Sequence, residues 1–172
     1  HPEALGKALT AGIAQYRLVT AEKELIEKTL SGAVKVLTDV LSLVSPTAFG
    51  RASRVQRVVQ DLARELKVDN AWQLEIAAML SQLGCVTLPE ETLDKVFRGK
   101  VLSPLEVKIF RDHPKVGHDL ITNIPRLEAI ASIIGYQEQH YDGSGVPGDG
   151  IRGAAIPLGA RVLKVALDFD TL

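Results

Sequence analysis

The sequence predicts an all-α protein on three observations. Apolar residues recur at helical intervals along most of its 172 residues, no alternating apolar–polar run is long enough for a convincing strand, and glycine is dense in one segment only. A chain of this length forms one domain, or one domain with an appendage, and buries roughly 70% of the surface its unfolded form exposes. A sizeable core is therefore available.

From Pro2 to Val44 there is no internal proline. Leu9, Tyr16, Leu30, Leu37 and Val44 share one heptad position, and Leu5, Val19, Ile26, Ala33 and Val40 share its partner, with Gly12 and Lys23 as exceptions. The spacing predicts a single helix of about 40 residues whose seam either folds back on its own domain or pairs with a second chain. Leu5 to Leu30 lacks the wide apolar stripe of a core helix, so the expectation is a homodimer through this helix.

Ser45 and Pro46 end that helix, because the residue before a proline is biased away from the helical region. Helical spacing resumes in Arg51 to Leu66 (Val55, Val58, Val59, Leu62, Ala63) and in Ala71 to Leu83 (Leu74, Ile76, Ala77, Leu80), with Lys67 to Asn70 as the turn. Pro89 to Phe97 reads as a short helix. Ser103, Pro104 and Glu106 read as N-cap, first-turn proline and third-position acid of the next helix, which is expected to stop before Pro114. Helices over Val116–Thr122 and Arg126–Glu138 follow. Asp142 to Ile156 holds five of the fourteen glycines, and Pro157 to Leu172 resumes helical spacing.

Twenty Lys and Arg stand against 21 Asp and Glu, so binding nucleic acid or an acidic membrane by bulk charge is excluded as a function class. Local anion sites remain open. No stretch reaches the length of a membrane span, and a cytoplasmic setting is expected. Cys85 stands alone, which rules out an internal disulfide framework and a cysteine-based zinc site; it reads as a buried small apolar residue. His1 in place of Met and an uncapped apolar run at Leu172 suggest a piece of a longer protein.

Several ordered motifs then carry a family resemblance. Thr92 to Glu106, the run Asp112-His113-Pro114-Lys115-Val116-Gly117-His118, the loop Asp142-Gly143-Ser144-Gly145-Val146-Pro147 and the closing stretch Ile156 to Ala166 together resemble the HD-GYP domain. That family comprises HD-superfamily metal phosphohydrolases acting on cyclic di-GMP. Residues 1–45 resemble the helical linker that joins a receiver domain to such an output domain in bacterial response regulators. The resemblance thus implies a signalling helix at 1–45 and an HD-GYP domain over 46–172, cut short at its C-terminus.

The departures from the family are specific. Where the resemblance implies an early histidine, this chain has Arg51; where it implies the His-Asp pair, Ser81 and Gln82, with Gly84 and Cys85 in place of the trailing Gly-Lys; where it implies paired histidines and a glutamate, Gln137, Glu138 and Gln139; where it implies a late aspartate, Leu167, beside Asp168. His113 alone is retained. Bridging divalent metals need ionised carboxylates or neutral imidazoles, which Ser, Gln, Arg and Leu cannot replace. A fixed cation at Arg51 repels an ion from that place. Arg51 is therefore expected to pair with Glu138 or another acid, and the domain to need no cofactor.

This points to a non-catalytic output domain of a two-component response regulator that acts on a protein signalling partner, with the loop of Asp142, Gly143, Gly145, Val146 and Pro147 kept as a recognition surface. Two alternatives stay open. One is a cyclic di-GMP phosphodiesterase with a rearranged Mn or Fe site drawn from His113, Glu138, His140 and Asp142. The other is a cyclic di-GMP receptor whose phosphate contacts come from Arg161 and Lys164, one turn apart on the last helix.

Overall fold

The computed structural model describes residues 2–171, without the side chains of residues 2–5, 8, 23, 24, 26, 27 and 31. The readings of His1 and Leu172 as chain ends, and the heptad places of Leu5, Lys23 and Ile26, lie outside the described residues. The α-helices among these residues are α1 Pro2–Val44, α2 Pro46–Glu65, α3 Ala71–Leu80, α4 Glu90–Phe97, α5 Pro104–Ile121, α6 Glu128–Gly135 and α7 Leu158–Phe169. The all-α class holds.

The chain divides into two compact units, residues 1–36 and 37–172. In the first, α1 is continuous, as the lack of internal proline predicts, and the seam residues Leu9, Tyr16 and Val19 are each more than half exposed. In the second, α2, α3, α5, α6 and α7 enclose a core that includes Val55, Val59, Leu74, Leu80, Ile121, Ile130, Ile134 and Leu163. A neighbouring cluster gathers Leu41, Ala48, Cys85, Leu88 and Leu93, with Phe97 and Phe110 packed against it. Leu41 therefore places the last turn of α1 within this second unit.

Local chemistry sets the helix ends. The Ser45 hydroxyl accepts from Ala48 N at 3.4 Å and donates to the Glu90 carboxylate at 2.7 Å, while Thr47 N donates to the other oxygen of Glu90 at 3.1 Å. Ser45 and Pro46 thus close α1 and open α2 directly, five residues before the expected start at Arg51. At α5 the expected capping box forms: Glu106 N donates to Ser103 Oγ at 3.3 Å and Ser103 N to Glu106 Oε2 at 2.7 Å.

Three expectations are corrected. The helix expected to stop before Pro114 runs through it, so the predicted Val116–Thr122 helix is the second half of α5. Pro114 has no N–H for the carbonyl four residues back, that of Phe110, but the imidazole of His113 takes its place at 2.6 Å, and Pro114 itself is buried. The helix expected over Arg126–Glu138 is shorter, Glu128–Gly135, because Arg126 adopts a left-handed φ of 70°. Finally, a two-residue antiparallel ladder joins β1 Glu138–Gln139 to β2 Gly145–Val146, where no strand was expected. A Cβ on Gly145 would lie 2.2 Å from the Glu138 carbonyl oxygen, so glycine is required for this pairing.

Gly84 is the tightest approach near the site. A Cβ there would fall 1.9 Å from the His113 carbonyl oxygen, so the turn after α3 packs backbone to backbone on α5.

Candidate functional site

Ser81 and Gln82 follow α3, His113 sits within α5, and Gln137 follows α6; all four are at most 1% exposed. Their contacts form one buried hydrogen-bonded cluster. The Gln137 carboxamide nitrogen donates to the Ser81 carbonyl at 2.9 Å and to His113 Nε2 at 3.0 Å. The Gln82 carboxamide donates to Ser81 Oγ at 3.2 Å and its oxygen accepts from Cys85 Sγ at 3.7 Å, while Ser81 Oγ donates to the Ala78 carbonyl at 2.8 Å. All four side chains are thus bonded within the protein.

The bonding assigns the tautomer of His113. Its Nδ1 faces the Phe110 carbonyl, which can only accept, so Nδ1 carries the proton and Nε2 offers its lone pair to Gln137. Burial lowers the pKa of His113, which favours this neutral form, and the Phe110 ring stacks on the imidazole with centroids 4.5 Å apart. Gln137 Oε1 is the buried side-chain polar atom that, among the described residues, has no hydrogen-bond partner. The carboxamide cannot flip to satisfy it without setting that oxygen against the Ser81 carbonyl.

Arg51, at 6% exposure, holds the other side of the site. Its Nη2 donates to the Leu167 carbonyl at 3.2 Å and to Thr171 Oγ1 at 3.1 Å, its Nε lies 3.5 Å from Asp170 Oδ2, and its guanidinium stacks over Phe97 at 4.7 Å. Burial lowers its pKa, and the charges of Glu138 and Asp170 oppose that effect. Asp170 also receives a fork from Arg54, at 2.7 and 3.0 Å. Of the acids the expectation allowed, Asp170 is the one in contact with Arg51, while Glu138 acts on it through its charge. Glu138 pairs instead with Lys164 at 3.2 Å.

Leu167 is a core side chain, 1% exposed, that offers the site only its backbone carbonyl. Asp168 is held by Lys164 at 2.5 Å. The two basic residues of α7 are likewise committed: Lys164 to Glu138 and Asp168, which outweigh its partial burial and raise its pKa, and Arg161 to the Ile156 carbonyl at 3.1 Å. A cavity of about 170 Å³ lies over this region, lined in part by Arg51, Phe97, Phe110, Glu138 and Asp170.

The alternative metal set is not assembled. His113 is buried against Gln137, whereas Asp142 accepts from the backbone N and hydroxyl of Ser144 at 2.8 and 2.7 Å in an exposed loop, and His140 bonds the same hydroxyl at 3.0 Å. Among the described residues, no three His, Cys, Asp or Glu side chains come together as ligands. The loop of Gly143, Gly145, Val146 and Pro147 is shaped by Gln139, whose nitrogen donates to the carbonyls of Gly143 and Ile151 at 3.0 and 2.9 Å and whose oxygen accepts from Gly148 N at 3.2 Å. A glutamate there would set a carboxylate against two carbonyls.

Sequence reasoning missed Asp170, Thr171, Phe97 and Phe110 as parts of the site, and it missed the part Pro114 plays in freeing the Phe110 carbonyl. The acid three residues after Leu167 and the proline next to His113 were the available signals.

Residues 35–172 match the HD domain family. A curated relative, the cyclic di-GMP phosphodiesterase response regulator RpfG of Xanthomonas campestris pv. campestris (strain 8004), is 38% identical over 101 residues, covering 58% of this chain and 26% of that protein. The chain thus aligns with about a quarter of that relative. With the family matched over most of its length and the bundle all-helical, the chain belongs to the HD domain family.

Proposed function

We propose that this chain is a signal-transduction module of a bacterial response regulator, in which an HD domain works by contact with a protein partner and not by hydrolysis. The observation that carries the reading is the polarity of the site. Where metal ions need acceptors, the chain places the guanidinium of Arg51 and the NH₂ of Gln137, both donors and both already bonded. The carboxylates beside this donor set are taken as well, Glu138 by Lys164 and Asp170 by Arg51 and Arg54.

Residues 1–45 are proposed as the signalling helix and 46–172 as the output domain, acting in the cytoplasm; among the described residues no helix is long and apolar enough to cross a membrane. The exposed seam residues Leu9, Tyr16 and Val19 support a homodimer through α1, since heptad positions of this kind are ordinarily covered by a partner helix. Sedimentation that finds a monomer at high concentration, with and without residues 1–30, would remove that part. The exposed loop around Asp142 to Pro147 supports a protein-recognition surface.

A second reading is favoured by one observation, the likeness to a cyclic di-GMP phosphodiesterase response regulator. It predicts turnover of cyclic di-GMP with Mn or Fe supplied, abolished by His113→Ala. A receptor without hydrolysis predicts calorimetric binding lost when Arg161 and Lys164 are both changed to Ala. The proposed reading predicts neither, and one metal-supplemented binding and turnover assay separates all three.

A further inference from the structure

We infer that Arg51 and Gln137 are internal replacements for cations, and that this HD domain is held together by its own side chains without a metal ion. The inference rests on the non-hydrolytic reading above and extends it from activity to the architecture of the domain.

The two residues tie together elements that lie far apart in the chain. Arg51, on α2, binds the end of α7 through the Leu167 carbonyl, Asp170 and Thr171, and reaches α4 through Phe97. Gln137, after α6, binds the end of α3 through the Ser81 carbonyl and α5 through His113. Each meets acceptors of the kinds that cations meet: carbonyl, carboxylate and the lone pair of a neutral imidazole.

Pro114 completes the second link. Because it supplies no N–H, the Phe110 carbonyl stays open for His113 Nδ1, and this leaves Nε2 as the acceptor facing Gln137. The lone pair that a metal would use is therefore already taken by an amide hydrogen. The unpartnered Gln137 Oε1 shows which half of that carboxamide the site uses. An incoming cation would have to displace the Gln137 hydrogens and also approach the fixed charge of Arg51.

The test uses the 172-residue chain purified without chelator. Metal content by ICP-MS should fall far below one ion per chain. The thermal midpoint should stay within about 1 °C on adding excess EDTA or excess Zn²⁺, because a ligand that binds only the native state shifts it by several degrees near saturation. In long-range ¹H–¹⁵N spectra His113 should appear as the neutral Nδ1–H tautomer, with an Nε2 signal that does not move when Zn²⁺, a diamagnetic probe, is added. A stoichiometric metal, a midpoint lowered by EDTA, or an Nε2 signal shifted by Zn²⁺ would each overturn the inference. Metal uptake without turnover of cyclic di-GMP would overturn this inference alone, whereas turnover would overturn the functional reading beneath it.

Discussion

The carboxamide of Gln137 donates to Nε2 of His113 at 3.0 Å in the interior of the bundle, and the same nitrogen donates to the Ser81 carbonyl at 2.9 Å. One amide thus satisfies two buried acceptors on two other elements. Its own oxygen is left bare, so the arrangement depends on the donors alone.

Replacing that amide exposes its worth. Gln137→Leu strands the Ser81 carbonyl and His113 Nε2 while removing the bare oxygen, and it should lower stability by about 2–3 kcal/mol. Gln137→Glu should cost more at neutral pH, since a carboxylate would face two acceptors. Urea unfolding of the two variants beside the parent measures both effects, and a Glu variant as stable as the parent would refute the assignment of donors.

Asp170 is the acid shared by Arg51 and Arg54, partly buried and with its side chain 9% exposed. Asp170→Asn removes the carboxylate in contact with the buried Arg51 charge, leaving it the Leu167 carbonyl, Thr171, the Phe97 ring and the field of Glu138, and should cost about 2–3 kcal/mol. Asp61→Asn is the comparison. It removes an ion pair with Arg64 whose side chains are both 73% exposed, and should cost less than about 0.5 kcal/mol. Equal losses in the two variants would show that burial of Arg51 carries no penalty.

Glu106 contributes to the acid limb. Its bond to Lys95, followed by those to the backbone and side chain of Ser103, lowers its pKa to about 2. An unfolded glutamate titrates near 4.3, so the folded state favours the ionised form. The stability this confers is present above about pH 4.3 and is lost as the pH falls toward about 2. The gap in urea midpoint between parent and Glu106→Gln should therefore be widest near neutrality and close across that window. A gap independent of pH would contradict the assignment.

Cys85 should be inert in the folded protein. Burial raises its pKa from 9.0 to about 12, which lowers the thiolate fraction about a thousandfold. Iodoacetamide at pH 8 should modify it only on unfolding, so labelling followed across a urea titration should track the folded fraction. Rapid modification of the native protein would show that the turn from Leu83 to Thr87 opens locally.

The helical spacing of Val55, Val59 and Ala63, and of Leu74 and Ala77, was legible because residues three or four apart become one buried face whatever the helix later packs against. The capping box of Ser103 and Glu106 was legible because both partners lie within one turn of each other. The path of α5 through Pro114 was not, since the missing N–H is offset by the imidazole of His113 and by burial of Pro114 in the bundle. The short β1–β2 ladder was illegible for a similar reason: it depends on Gly145 meeting the Glu138 carbonyl closely.

The same division holds at the site. By itself the sequence determined the helical class, the continuity of α1 and the chemical identity of the residues at the candidate site, because these are properties of local spacing and of side-chain type. Only the tertiary structure decided that Arg51 takes Asp170 while Glu138 takes Lys164, and that Gln137 stands between Ser81 and His113. Those partners lie far apart in the chain, and which charges meet depends on how the helices cross, since burial makes each donor and acceptor bond to whatever the packing brings within reach.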